Sequence, residues 1–213
     1  MNTSLALSPV ALAIRRWLHE SRAAATVEFA FVAPAMLIMM GLIVFAGQAF
    51  EIQRKVTLTM RTLTDLVTQQ TAITSSSTLT YTQILNAASL VMSPYCASGT
   101  TCTNLTMVVS EIQTNGSTTG TVIWSAQLSG GVVSTISLNS SNNTVSLPSY
   151  VEASPYLILG TVSYNYSPLN FSQYTSTFTQ NAITLTDSIY MAPRVSTCIS
   201  GPNQSLSRNP ACP

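Results

Sequence analysis

Residues Phe29 to Gly47 form a run of 19 without a charged or strongly polar side chain, and after a single Gln48 the apolar character resumes to Phe50. Few structures accept such a run. A bilayer core of about 30 Å needs roughly 20 apolar residues of helix, whereas the apolar part of a secretory signal is usually about 7 to 15 long. Length therefore predicts a membrane-spanning helix. Pro34 lies one turn inside, a position that membrane helices tolerate better than exposed soluble ones.

Arg15, Arg16 and Arg22 precede the run and Arg54, Lys55 and Arg61 follow it, so positive charge alone does not set the orientation. The rest of the chain does. Charged residues are 7% of the sequence, against roughly 25% in ordinary soluble domains, and Ser, Thr and Asn take their place. Between Leu66 and Pro193 the only ionisable carboxylates are Glu111, Glu152 and Asp187, with no Lys, Arg or His. The four cysteines fall into two local pairs, Cys96 with Cys102 and Cys198 with Cys212. That spacing suits short disulfide-closed loops in an oxidising compartment, although four cysteines allow three connectivities. The competing reading is four buried free thiols in a cytosolic protein. Zinc fits poorly, since a pair six apart without a nearby His misses the usual ligand spacings. An exported C-terminal part leaves the N-terminal arginines in the cytoplasm. A net charge of +1, with no basic cluster downstream of residue 61, excludes nucleic acid as a partner.

Glu28 stands at the mouth of the apolar run. A carboxylate deep in a membrane helix costs about 2.5 to 3.5 kcal/mol, less towards the interface, so it needs water or a cation. One reading is a Glu that faces interfacial water. In the other, cleavage after Ala23 creates an α-amine at Ala24, Glu28 becomes the fifth residue of the mature chain, and the two groups pair within or between subunits.

The stretch Arg22-Ala23-Ala24-Ala25-Thr26-Val27-Glu28-Phe29-Ala30-Phe31-Val32-Ala33-Pro34 resembles the processing site of the TadE-like pseudopilins of the tight-adherence (Flp) pilus. These show a basic leader, a small residue at the cut, alanines, Val-Glu-Phe-Ala and a Pro within an apolar helix. Ala23 departs from the pattern, where Gly is usual. Weaker likenesses lie in Gly160 to Leu169, an alternating strand closing in Tyr-Asn-Tyr-Ser-Pro-Leu, and in Met191-Ala192-Pro193-Arg194. The resemblance implies processing at Ala23 and Ala24 by a prepilin peptidase, and assembly through Glu28 and Phe29. It also implies partners among other pilins and pseudopilins and the inner-membrane assembly platform, besides the lipid bilayer. The implied location is the inner membrane with the C-terminal domain in the periplasm, and the pilus after assembly.

Beyond the membrane, Ile52, Val56, Met60, Leu63 and Val67 recur at three to four residues. This predicts that the helix continues to about Gln70, on the order of 70 Å from Ala24, with an apolar stripe as the seam to its own domain. Thr71 to Thr80 reads as a Ser/Thr-rich linker, and Tyr81 to Met92 as a short second helix ending before Pro94. Leu105 to Ile112, Thr121 to Leu128, Val132 to Leu138, Tyr156 to Tyr166 and Ile183 to Tyr190 read as strands. Turn signals stand at Asn115-Gly116, Gly130-Gly131 and Asn142-Asn143. The expected fold class is α+β with an antiparallel sheet. Residues 1–23 form the leader, 24–70 the helix and 71–213 the exported domain.

No catalytic constellation is expected. The single histidine, His19, lies in the leader, which removes imidazole-dependent nucleophiles and the usual zinc sites from the mature chain. No glycine-rich phosphate loop occurs, and the Asn-x-Ser/Thr triplets are what chance gives in this composition. No cofactor is implied. A minor pilin or pseudopilin that works by packing is the leading reading. A permanently anchored periplasmic binding module is its rival, and a secreted enzyme with an over-long signal stands third.

Overall fold

The computed structural model describes residues 21–74, 77, 79–96, 102–114, 118–137, 143–148, 155–167 and 182–202, with residues 21–24 described by their backbone alone. Helix α1 spans Ser21–Thr68 with Pro34 inside it. Helix α2 spans Tyr81–Ser89 and continues as a single 3₁₀ turn, Leu90–Met92. Six strands follow: β1 Leu105–Thr114, β2 Thr119–Ser129, β3 Val132–Thr135, β4 Thr144–Ser146, β5 Tyr156–Tyr166 and β6 Ile183–Met191. The chain divides into two compact units, Met1–Gln48 and Ala49–Pro213. The second half of α1 thus belongs with the sheet.

In the second unit the sheet runs β3-β2-β1-β5-β6, every pairing antiparallel, with β4 beside the first residues of β2. The fold is α+β, as the strand spacing predicts. β4 is an addition to the strands read from sequence, and its three residues are too few for a periodicity to declare. β3 stops at Thr135 rather than continuing, and Leu138, Asn115-Gly116 and Asn142 lie outside the described residues. At the β2–β3 hairpin Gly130 and Gly131 have φ of 59° and 81°, the left-handed pair that a two-residue turn demands.

The α1 stripe is buried as its spacing requires: Ile52, Val56, Met60, Leu63 and Val67 are all in the core. They meet Leu105, Met107, Val109, Ile158 and Val162, which alternate along β1 and β5 on one face of the sheet. Burying each large aliphatic side chain stabilises the unit by about 1.5–3 kcal/mol. Thr59, Thr64 and Thr68 share this buried face, and each satisfies its hydroxyl by donating back to a carbonyl of its own helix, at Lys55, Met60 and Asp65.

α2 begins with a capping box, in which Gln83 N–H donates to the Thr80 hydroxyl and Thr80 N–H donates to the Gln83 side chain. Its face of Ile84, Leu85 and Ala88 joins the same core. The preceding segment is more than a linker. Ile73 is fully buried, its N–H donates to Ser200 O at 2.9 Å, and Ala72 bridges Ser200 in parallel. Polar composition concealed this anchor, because a single Ile carries it.

α1 lies flush against the sheet at Gly160 of β5, where a Cβ would lie 2.1 Å from Thr64 Oγ1. Gly160→Val is expected to destabilise the unit by about 1–3 kcal/mol through overpacking. Thr64→Ala in the same chain should recover part of the loss. Thermal unfolding of the detergent-solubilised protein, followed in the near-ultraviolet, checks both, and additive losses would show that the two sites do not meet.

Candidate functional site

Glu28 and Phe29 lie on α1 and both are exposed. Ala23 and Ala24 belong to the same helix, with only their backbone described. Residues four apart on a helix share a face, so the backbone nitrogen of Ala24 and the Glu28 carboxyl stand about one turn from each other. From Val27 to Val44 the helix exposes Phe31, Met36, Leu37, Ile38, Met39, Met40, Leu42 and Ile43 among others. This surface has no polar stripe to turn towards water. α1 is the one described helix long and apolar enough to cross a membrane.

The disulfide prediction is met at its first pair: Cys96 and Cys102 are bonded, with 5.1 Å between their Cα atoms. Cys198 is also disulfide-bonded, and Cys212, its expected partner, lies outside the described residues. Among those residues no group of three His, Cys, Asp or Glu could hold a metal ion.

The distal carboxylates do not converge. Asp187 accepts from the Thr57 hydroxyl at 2.7 Å and so pins β6 to α1. Glu111 is fully buried and accepts from the Ile199 N–H at 2.7 Å. The Ile199 carbonyl in turn accepts from Trp124 Nε1 at 2.8 Å, and Gly201 lies so flush on the indole that a Cβ there would be 2.1 Å from Trp124 Cγ. Residues 198–201 are thereby strapped into the core beside the second cystine. The alternation of Leu105, Met107, Val109 and Glu111 already aims Glu111 inward, and that was the legible signal of a buried polar partner. Glu152 lies outside the described residues.

Sequence reasoning gave no role to the contacts that hold the turn after α2 against α1. Lys55 Nζ donates to Ser93 O at 2.5 Å, and the Tyr95 hydroxyl donates to Glu51. Partial burial, then the Glu51 carboxylate, raises the Tyr95 pKa above its usual 10.0. The folded state thus favours the neutral phenol. Its contribution is present below pH 10 and is lost as the pH climbs through the raised value. Arg194, from the Met-Ala-Pro-Arg element, pairs with Asp65 at 3.0 Å while its N–H donates to Thr68 O. That element therefore fastens the C-terminal end of α1.

The family model described as TadE-like protein matches residues 23–62. The match begins at Ala23, takes in Glu28 and the apolar run, and ends within the buried stripe. It makes this segment TadE-like, consistent with a pilin-related protein, and points to the tight-adherence pilus system. It stops short of β5 and of Met191 to Arg194, where the weaker likenesses lie. No curated protein and no solved structure matches the chain.

Non-reducing peptide mapping should recover Cys96 with Cys102 and Cys198 with Cys212. Loop-closure entropy values a bridge over so few residues as the first at about 2 kcal/mol, and one over about 15 residues at about 3 kcal/mol. Cys96→Ser should lower stability by up to that amount, and a recovered Cys96–Cys198 peptide would refute the pairing.

Proposed function

We propose that the chain is a minor pilin or pseudopilin that acts in assembly of a tight-adherence pilus through helix packing and subunit contacts. The observation that carries this reading is the coincidence of the TadE-like match with the segment where Glu28 opens an apolar helix. In this reading residues 1–23 are a leader removed by a prepilin peptidase between Ala23 and Ala24. Residues 24–70 hold the chain in the inner membrane, and residues 71–213 stand in the periplasm until assembly carries the subunit into the pilus. Other pilins, pseudopilins and the assembly platform are its partners. Its activity is packing, not catalysis.

Cleavage gives the reading its chemistry. Before it, the Ala24 nitrogen is an amide; afterwards it is a cation one turn from Glu28. An amine and a carboxylate attract far more strongly in a low-dielectric layer than in water. The attraction acts within one chain or, in a fibre, between the new terminus of one subunit and Glu28 of its neighbour. Phe29 beside it supplies apolar surface to the same contact.

Glu28→Ala removes a polar group from an apolar helix and should leave membrane insertion intact. Piliation should fall, with Glu28→Asp intermediate because the charge is kept and the reach shortened. Membrane level, cleavage at Ala23 and surface pili, scored separately for wild type and both variants, check this. Normal cleavage, normal accumulation and wild-type piliation of Glu28→Ala would remove the pairing role and favour a permanently anchored periplasmic module.

A further inference from the structure

Exposed apolar side chains in the second unit gather at one end. Leu105 pairs with Tyr164 and Tyr164 with Leu185, while Thr106 pairs with Ser129 and Ser129 with Val132. The start of β1, the end of β5, the start of β6 and the Gly130-Gly131 turn therefore share one end of the sheet. α1 runs antiparallel to β5, with Met60 and Thr64 against Gly160 and with Glu51 beside Tyr95, near Tyr164 and Tyr166. Ala49 to Glu51 and the turn after α2 thus lie at this same end, where Lys55 holds Ser93.

Seven large apolar side chains are exposed among the described residues of this unit, and four of them belong here: Phe50 at 77%, Leu90 at 57%, Val132 at 66% and Ile183 at 53%. Single exposed apolar residues need no explanation; their concentration at one end does. Phe50 is also the last residue of the apolar run. At 1.5 Å per residue, Glu51 to Lys55 stand within about 8 Å of the end of that run, the depth of the headgroup layer. Covalent continuity through Phe50 is sufficient for this. Tyrosine is the side chain favoured at such a depth, and an exposed Arg there meets lipid phosphate while its stem lies along apolar surface. Tyr95 and Arg54 answer that description.

We propose that this end of the unit, with Leu90, Tyr95, Val132 and Ile183 set around Phe50 and Arg54, is a second membrane contact that rests in the headgroup layer of a phospholipid bilayer. The inference rests on the reading of residues 29–50 as a membrane span. It assigns the domain a lipid-facing end, and it gives those apolar side chains a partner while the chain resides in the membrane.

The full chain, reconstituted in vesicles of phosphatidylethanolamine and phosphatidylglycerol, tests it. Leu90→Trp and Ile183→Trp are compared with Val195→Trp, an exposed site near the opposite end of α1, where Arg194 N–H bonds Thr68 O. Wild type, with Trp17 and Trp124, supplies the background. Lipids brominated near the headgroup end of their acyl chains should quench the Leu90→Trp and Ile183→Trp signals about twofold more than that of Val195→Trp. Flotation with the vesicles reports the span independently. A chain that floats but shows equal quenching at all three sites overturns the contact and leaves the span standing. A chain that fails to float overturns both.

Discussion

The packing of α1 on the sheet turns on a position without a side chain. Gly160 lets Thr64 and the backbone of Met60 lie directly on β5, and that approach brings Ile52, Val56, Met60, Leu63 and Val67 into register with the inward residues of β1 and β5. Other attachments follow from it. Thr57 reaches Asp187, Arg194 reaches Asp65, and Lys55 reaches Ser93 only because the helix is seated at this depth. These polar clasps lie largely at the surface, where each is worth little alone. The apolar stripe carries the stability, and the clasps fasten the register that the contact at Gly160 sets.

The scarcity of charge becomes intelligible in the sheet. Its six strands contain only two ionisable acidic side chains, Glu111 and Asp187, and both take hydrogen bonds on the helix-covered face. The opposite face answers water with neutral groups instead. Thr186 bonds Ser163, Thr184 bonds Asn165 and Gln127 bonds Ser134 across neighbouring strands, while the buried Ser110 and Ser125 satisfy each other away from water. Such a face needs no counter-ions. It stays soluble through hydroxyl and amide groups that pair with one another.

One helix serves two solvents. From Phe29 to Gly47 its side chains are apolar around the whole circumference, which suits lipid, and beyond Phe50 they are apolar along a single stripe, which suits a protein core. The TadE-like match spans that change of character, from Ala23 into the stripe at Thr62. The domain beyond it matches no curated protein and no solved structure. Its attachment to α1 is nonetheless built from ordinary means: a glycine at the crossing, a capped second helix, a cystine at the turn and a strap across Trp124.

Periodicity in the sequence determined the membrane run, the stripe that follows it and the long strands, because each repeats at 3.6 or 2 residues over enough length to be read. Local spacing likewise sufficed for the Cys96–Cys102 bridge, and the order of residues around Glu28 for the TadE-like likeness. Only the tertiary structure decided which isolated residues matter. Ile73 in a polar segment, Glu111 beneath Ile199, Gly201 on Trp124 and Tyr95 against Glu51 take their partners from 44 to 127 residues away or from segments without a period. No local pattern encodes those meetings. They exist because α1, seated at Gly160, fixes where the sheet, the turn after α2 and the C-terminal strap can close around it.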